Sequence, residues 1–137
     1  MSNENTEIVL RFWEALESAG AEALVDGVHP DSEWVPLADR TQRLRGGQGL
    51  ARWLREVTRD GRRLEPAIME VEDHGEHVIA IGSLRVHERD GSFSEVSAAW
   101  LYQVRDGAIR RGEGFSSVKE ARAALAALSP GGGVSLG

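Results

Sequence analysis

Glu113 stands between two glycines in the run Arg110-Arg111-Gly112-Glu113-Gly114-Phe115. On a regular strand it is in phase with Ile109 and Phe115, which turns its carboxylate inward. There, burial would raise its pKa and suit it to moving protons. Flanking glycines also mark bulges, and a bulge would send the same group out to solvent or to an arginine such as Arg85. Both readings stand on the sequence. His29, in His29-Pro30-Asp31, is the second candidate for acid–base work, because an imidazole beside a cavity mouth titrates near neutral pH. It would equally cap the entry to an extended segment. Glu113 and His29 are therefore the two candidate catalytic residues.

Other chemistry-bearing residues have plainer explanations. His74 and His77 flank a turn in "DHGEH". A metal would need at least a third ligand in fixed geometry, so the pair is read as a solvated turn and no metal is expected. Arg85 and His87 alternate with the apolar residues of their strand and belong to a rim or an interface. Gly46, Gly47 and Gly49 precede a helix, but without the strand and lysine of a phosphate-binding loop they are read as helix entry. Arg52, Arg55 and Arg59 repeat at helical spacing and form a solvated face. The chain contains no cysteine, which removes disulfides, zinc–thiolate sites and thiol nucleophiles. Four tryptophans, Trp13, Trp34, Trp53 and Trp100, supply large flat surfaces for a core or for the walls of an apolar cavity.

The elements that must position these groups follow from periodicity. Residues 4–19 repeat apolar side chains (Ile8, Phe12, Ala15, Leu16, Ala19) at helical spacing. A short helix is expected over 21–28, then an extended segment containing Pro30 and Pro36. Another helix should follow "RGGQG", with Leu50, Trp53, Leu54 and Val57 on its buried side. From residue 62 the period changes to two. "RRLEPAIMEVED", "EHVIAIGSLRVHE", "SFSEVSAAWLYQV" and "AIRRGEGF", separated by "HG", "RDG" and "RDG", predict four adjacent antiparallel strands. Ser117-Val118-Lys119-Glu120 has capping-box spacing and opens an alanine-rich helix. One domain over 1–128 and a disordered tail at 129–137 are expected.

Composition limits the partners. The 137 residues carry a net charge of -6, which repels phosphate and disfavours nucleic acid and anionic membranes. No run approaches a membrane span, and "MSNENTEIVLRF" lacks the order of a secretory signal, so a cytoplasmic protein is expected. In the long strands Ile79, Ile81, Ala99 and Leu101 share a face too apolar for water. With a helix layer expected on the other side, this face is predicted to pack against a second copy of the chain. The alternative is that the last helix covers it.

The order of helix, helix, strand, helix and four-stranded meander resembles the SnoaL-like branch of the nuclear-transport-factor-two-like superfamily. The resemblance is carried by "IVLRFWEAL", "HPDSEWVPLADR", "LRGGQGLARWLRE", "VRDGAIRR" and "FSSVKEARAAL". It implies an α+β fold in which a curved antiparallel sheet wraps three to four helices into a cone with an apolar pocket. It also implies no cofactor and most often a dimer. Ketosteroid isomerases of this superfamily use a carboxylate base and two proton donors, at positions that match Val35, Phe12 and Trp100. All three are apolar here, which excludes that mechanism. SnoaL-like cyclases tend to carry an acid at the Trp100 position as well. Phe12, Trp34, Val35, Trp53, Trp100 and Tyr102 are the expected walls for an apolar or aromatic small molecule. Two functions are compatible with this: a cofactor-independent cyclase, isomerase, hydrolase or dehydratase, or a non-catalytic binding or structural protein with a tryptophan-filled pocket.

Overall fold

The computed structural model describes residues 3–19, 28–37 and 40–128. The short helix expected over 21–28 lies outside the described residues except for Val28, which begins a strand. The tail at 129–137 lies outside them entirely. The first helix, α1 (Asn3–Ala19), buries Val9 and Phe12 and rests Ile8, Trp13 and Leu16 on the same core. These positions recur every three to four residues and define one face.

Strand β1 (Val28–Val35) is followed by the two-residue β2 (Leu44–Arg45) and helix α2 (Gly46–Val57). The glycines form the first turn of α2 instead of leading into it. Gly46 has φ +71°, and a Cβ there would lie 2.7 Å from the Pro30 carbonyl oxygen, so both the backbone conformation and the space require glycine. Gly47 and Ala51 are buried in the helix, and their small size lets α2 approach β1 closely.

Strands β3 (Arg63–His74), β4 (His77–His87), β5 (Phe93–Arg105) and β6 (Ala108–Phe115) form the expected antiparallel meander. Asp106 and Gly107 both have positive φ, at 54° and 79°, the requirement of a tight type I′ hairpin turn. The six-stranded sheet has the order β2-β1-β6-β5-β4-β3. In a departure from the all-antiparallel expectation, β1 runs parallel to β6. A parallel neighbour needs a long connection, and everything between β1 and β6 supplies it. Register shifts leave Met69 in β3 and Arg110 in β6 as extra residues, bulges of the kind that bend a sheet.

The concave face carries Val78, Ala80, Tyr102, Val104 and Ile109, packed under Val9 and Phe12. The outer face carries Ile79, Ala99, Leu101 and Phe115, and these pack against Ala121 of α3 (Val118–Leu128). The sequence expectation of a subunit interface at Ile79, Ile81, Ala99 and Leu101 is corrected here. Ile79 and Ala99 are wholly buried within the chain, Leu101 is 2% exposed, and Ile81 rests against the same cluster. The sheet has a helix layer on both faces, because alanines along α3 let it lie close to the small-residue side of β5. Half of the expected capping box forms: the Glu120 amide donates to Ser117 Oγ at 3.2 Å, while the Glu120 carboxylate accepts from the Ser116 hydroxyl at 2.9 Å.

Candidate functional site

A cavity of about 500 Å³ lies between the concave face, α1 and α2, and all four tryptophans line it. Trp34 stacks on Phe12 with centroids 5.4 Å apart and planes 15° from parallel. Tyr102 meets both rings edge-on, at 5.8 Å and 6.2 Å. Trp13 and Trp100 form a second edge-on pair at 4.8 Å. Offset and edge-on pairing lets aromatic side chains fill a wall without gaps. Trp34 is fixed further by its indole N–H, which donates to the buried Ser32 Oγ at 2.8 Å. Gly112 makes room for it, since a Cβ there would come within 2.3 Å of the Trp34 ring.

The expected walls are brought together. Phe12, Trp34 and Tyr102 are buried, Val35 is buried at the C-terminal end of β1, Trp53 reaches in from α2, and Trp100 is half-buried in β5. Burial pushes the Tyr102 phenol well above its ordinary pKa, only partly offset by the Trp13 indole beside it, so the hydroxyl keeps its proton. Charged residues, among them Glu17, Arg55, Arg63 and Glu65, stand at the exposed edge. Glu65 accepts a hydrogen bond from His87 at 2.7 Å, which lowers its pKa.

The catalytic candidates are placed differently. Register partners share a face, and Glu113 pairs with Leu101 on the outer side, whereas Ile109 pairs with Val104 on the core side. Arg110 is the extra residue between these pairs, so the phase drawn from Ile109 does not carry to Glu113. Glu113 touches the cavity's edge, but its carboxylate accepts from Arg40 Nη2 at 2.7 Å and from Arg111 Nη2 at 3.1 Å. Arg111 also binds Glu33 at 2.5 Å. Its arginine partners are therefore Arg40 and Arg111; Arg85 instead pairs with Glu95 and covers the Phe93 ring. The expectation that His29 sits beside the cavity is also corrected. His29 lies at the N-terminal end of β1, while the opposite end of that strand lines the cavity. Its Nδ1 accepts the Asp31 amide at 3.0 Å, a local cap. His74 is bound to Glu72. Among the described residues no group of three or more potential ligands is placed to hold a metal.

Trp13, which the sequence left as either core or wall, and Leu37, which it did not mark, both line the cavity. Trp13 could have been found from α1 alone, where it lies beside Phe12 and three residues before Leu16 on the inward stripe. Leu37 sits in an irregular segment, where no periodicity marks it.

Residues 9–112 match the family model of the SnoaL-like domain. The chain belongs to the SnoaL-like family. Solved structures with the same fold include TerC co-crystallised with polyporic acid, 24% identical with a TM-score of 0.70, covering 88% of this chain and 96% of that one. An NTF2-like protein of unknown function from Burkholderia pseudomallei K96243 is 19% identical with a TM-score of 0.72, covering 88% and 95%. An LEH-like epoxide hydrolase of M. tuberculosis is 19% identical with a TM-score of 0.70, covering 94% and 98%. At these identities the SnoaL-like domain shares their fold, and its chemistry must be argued from its own cavity. No curated protein matches the chain. No helix among the described residues is long and apolar enough to cross a membrane.

Proposed function

We propose that this SnoaL-like protein binds a flat, largely apolar small molecule, of aromatic or polyketide-like kind, in the cone cavity. One observation carries this: an open cavity of about 500 Å³ walled by Phe12, Trp34, Trp53, Trp100 and Tyr102, with Glu17, Arg55, Arg63 and Glu65 exposed at its edge and the part-buried Glu113 paired to Arg40 and Arg111. Such a volume suits a drug-sized ligand, and aromatic walls offer it stacking surface. TerC, of like fold, was crystallised with a small molecule, polyporic acid. Catalysis by Glu113 would require its carboxylate to leave Arg40 or Arg111, and catalysis by His29 would require a path to the cavity that its place on β1 does not offer. Binding requires neither.

All four tryptophans line the cavity, so an entering ligand will perturb intrinsic fluorescence. Titration with planar aromatic and polyketide-like compounds is expected to give saturable quenching. At a hundredfold excess over Kd it should also raise Tm by about 8 °C, since such an excess stabilises a protein of this size by roughly 2.7 kcal/mol. A library of such compounds that moves neither signal would defeat the proposal.

A further inference from the structure

Charge is unevenly distributed along this chain. Residues 40–63 hold eight of its 16 basic residues, all of them arginine, and only two of its 22 acids, Glu56 and Asp60. The segment carries +6 in a protein of net charge -6, which leaves -12 on the remainder. It spans β2 and α2 with the turns on either side, and all eight arginines are exposed. Two are engaged within the fold, Arg40 with Glu113 and Arg62 with Glu88. Arg43 donates to the carbonyls of Arg40 and Gln42, which leaves its charge unbalanced. Arg45, Arg52 and Arg59 make no hydrogen bond or ion pair among the described residues, and Glu56, one turn on from Arg52, does not pair with it.

These three arginines sit at the N-cap of α2, within it and just beyond its C-cap. They are seven residues apart, two helical turns, and so mark a stripe about 20 Å long on the solvent side of the helix. An open cleft of about 420 Å³ lies against the first two, lined by Gln42, Arg43, Arg45, Gln48, Arg52 and Glu56 among others. Three arginines against one glutamate line it, and guanidinium groups only donate, so an occupant must bring anionic acceptors. Extended polyanions fit poorly, because a nucleic acid or an anionic membrane reaches past a stripe of this length onto the acidic remainder. A helix bearing carboxylates matches it in length and period, since glutamates three, four and seven residues apart share one face. Guanidinium also pairs bidentately with carboxylate, and at physiological ionic strength such contacts act over about 8 Å, so the local charge governs docking. We propose that the arginine face of β2 and α2 docks an acidic helix of a partner protein. The opposite side of α2, with Leu50 and Leu54, walls the aromatic cavity, and Trp53 lines both cavity and cleft. A docked partner thus sits beside the cavity, whatever the cavity holds.

The probe is a fluorescein-labelled, alanine-based helical peptide with glutamates at every third and fourth position. Its control is an isomer of the same composition whose glutamates are spread round the helix. In anisotropy titrations at low ionic strength the one-faced peptide is expected to bind about fivefold more tightly than the isomer, since it alone presents its carboxylates together. Arg52→Glu should weaken its binding about tenfold, with Arg52→Gln intermediate. Lys119→Glu makes the same change of charge at an exposed position on α3 and should leave binding unmoved. The comparison of isomers on the unmutated protein keeps the test decisive if Arg52→Glu fails to fold. Absence of binding, equal affinity for the two isomers, or an equal loss in Lys119→Glu overturns the docking face. Tighter binding of a DNA duplex or of phosphatidylserine vesicles than of the one-faced peptide overturns the choice of a protein partner. Self-association that Arg52→Glu abolishes gives the face to a second copy of the chain and overturns it equally.

Discussion

Glu113 is gripped by two guanidinium groups at the end of β6, with its side chain 13% exposed against 42% for Arg40 and 30% for Arg111. Arg40 also donates to the Gly114 carbonyl and lies over the Phe115 ring at 4.4 Å, so one arginine ties the segment after β1 to the last strand. Such an arrangement is structural first. Glu113→Gln is expected to lower stability by roughly 1 kcal/mol, the scale of a partly screened ion pair, as read by urea denaturation. Saturable binding of a planar ligand should be unaffected. A variant of undiminished stability that no longer bound ligand would move Glu113 from the scaffold to the site.

At the scale of elements, α3 is fastened across the sheet by one carboxylate. Arg122 donates to Glu72 through both Nε and Nη2, and His74 binds the same carboxylate at 3.0 Å. The bond from Arg122, above all, holds Glu72 at about 2 against an ordinary 4.5, with burial opposing and His74 assisting. A folded-state pKa below the unfolded one favours the ionised form in the fold. The resulting stability is fully present above about pH 4.5 and is lost as pH falls towards 2. Glu72→Gln should flatten the dependence of Tm on pH across that window in melts followed by circular dichroism. An unchanged acid slope would assign the sensitivity to other carboxylates.

Taken whole, the molecule is a bent sheet with an aromatic hollow on one side and a helix on the other. The outer helix changes what a substitution at Ile81 does. Ile81 rests against the cluster of Ile79, Leu101 and Ala121 under α3. Ile81→Arg should therefore loosen the seam between helix and sheet. The expected result is a fall in Tm with an unchanged sedimentation coefficient, because a charge placed against a helix–sheet seam is costly unless it finds a partner. Dissociation of a dimer into folded monomers at unchanged Tm would restore this face as a subunit interface.

Much of the fold was legible in the chain. Alternation through residues 62–115 marked four strands, glycine-containing turns marked their hairpins, and Ser117 to Glu120 marked the last helix. The scattered aromatics Trp34, Trp53 and Tyr102, expected as walls from the family resemblance, all line the cavity. Local pattern sets the period of an element, but which face that element turns to which neighbour depends on its partners. The glycines beside Glu113 left a bulge open as one of two readings, but only the register against β5 places the extra residue at Arg110 and reverses the phase that would have aimed Glu113 inward. The same holds for α3, which settled on the outer face, and for β1, which joined β6 in parallel. His29 was likewise separated from the cavity by the direction of its strand. The edge-on contact of Trp13 with Tyr102, too, exists only because α1 and β5 bring the two rings to one wall.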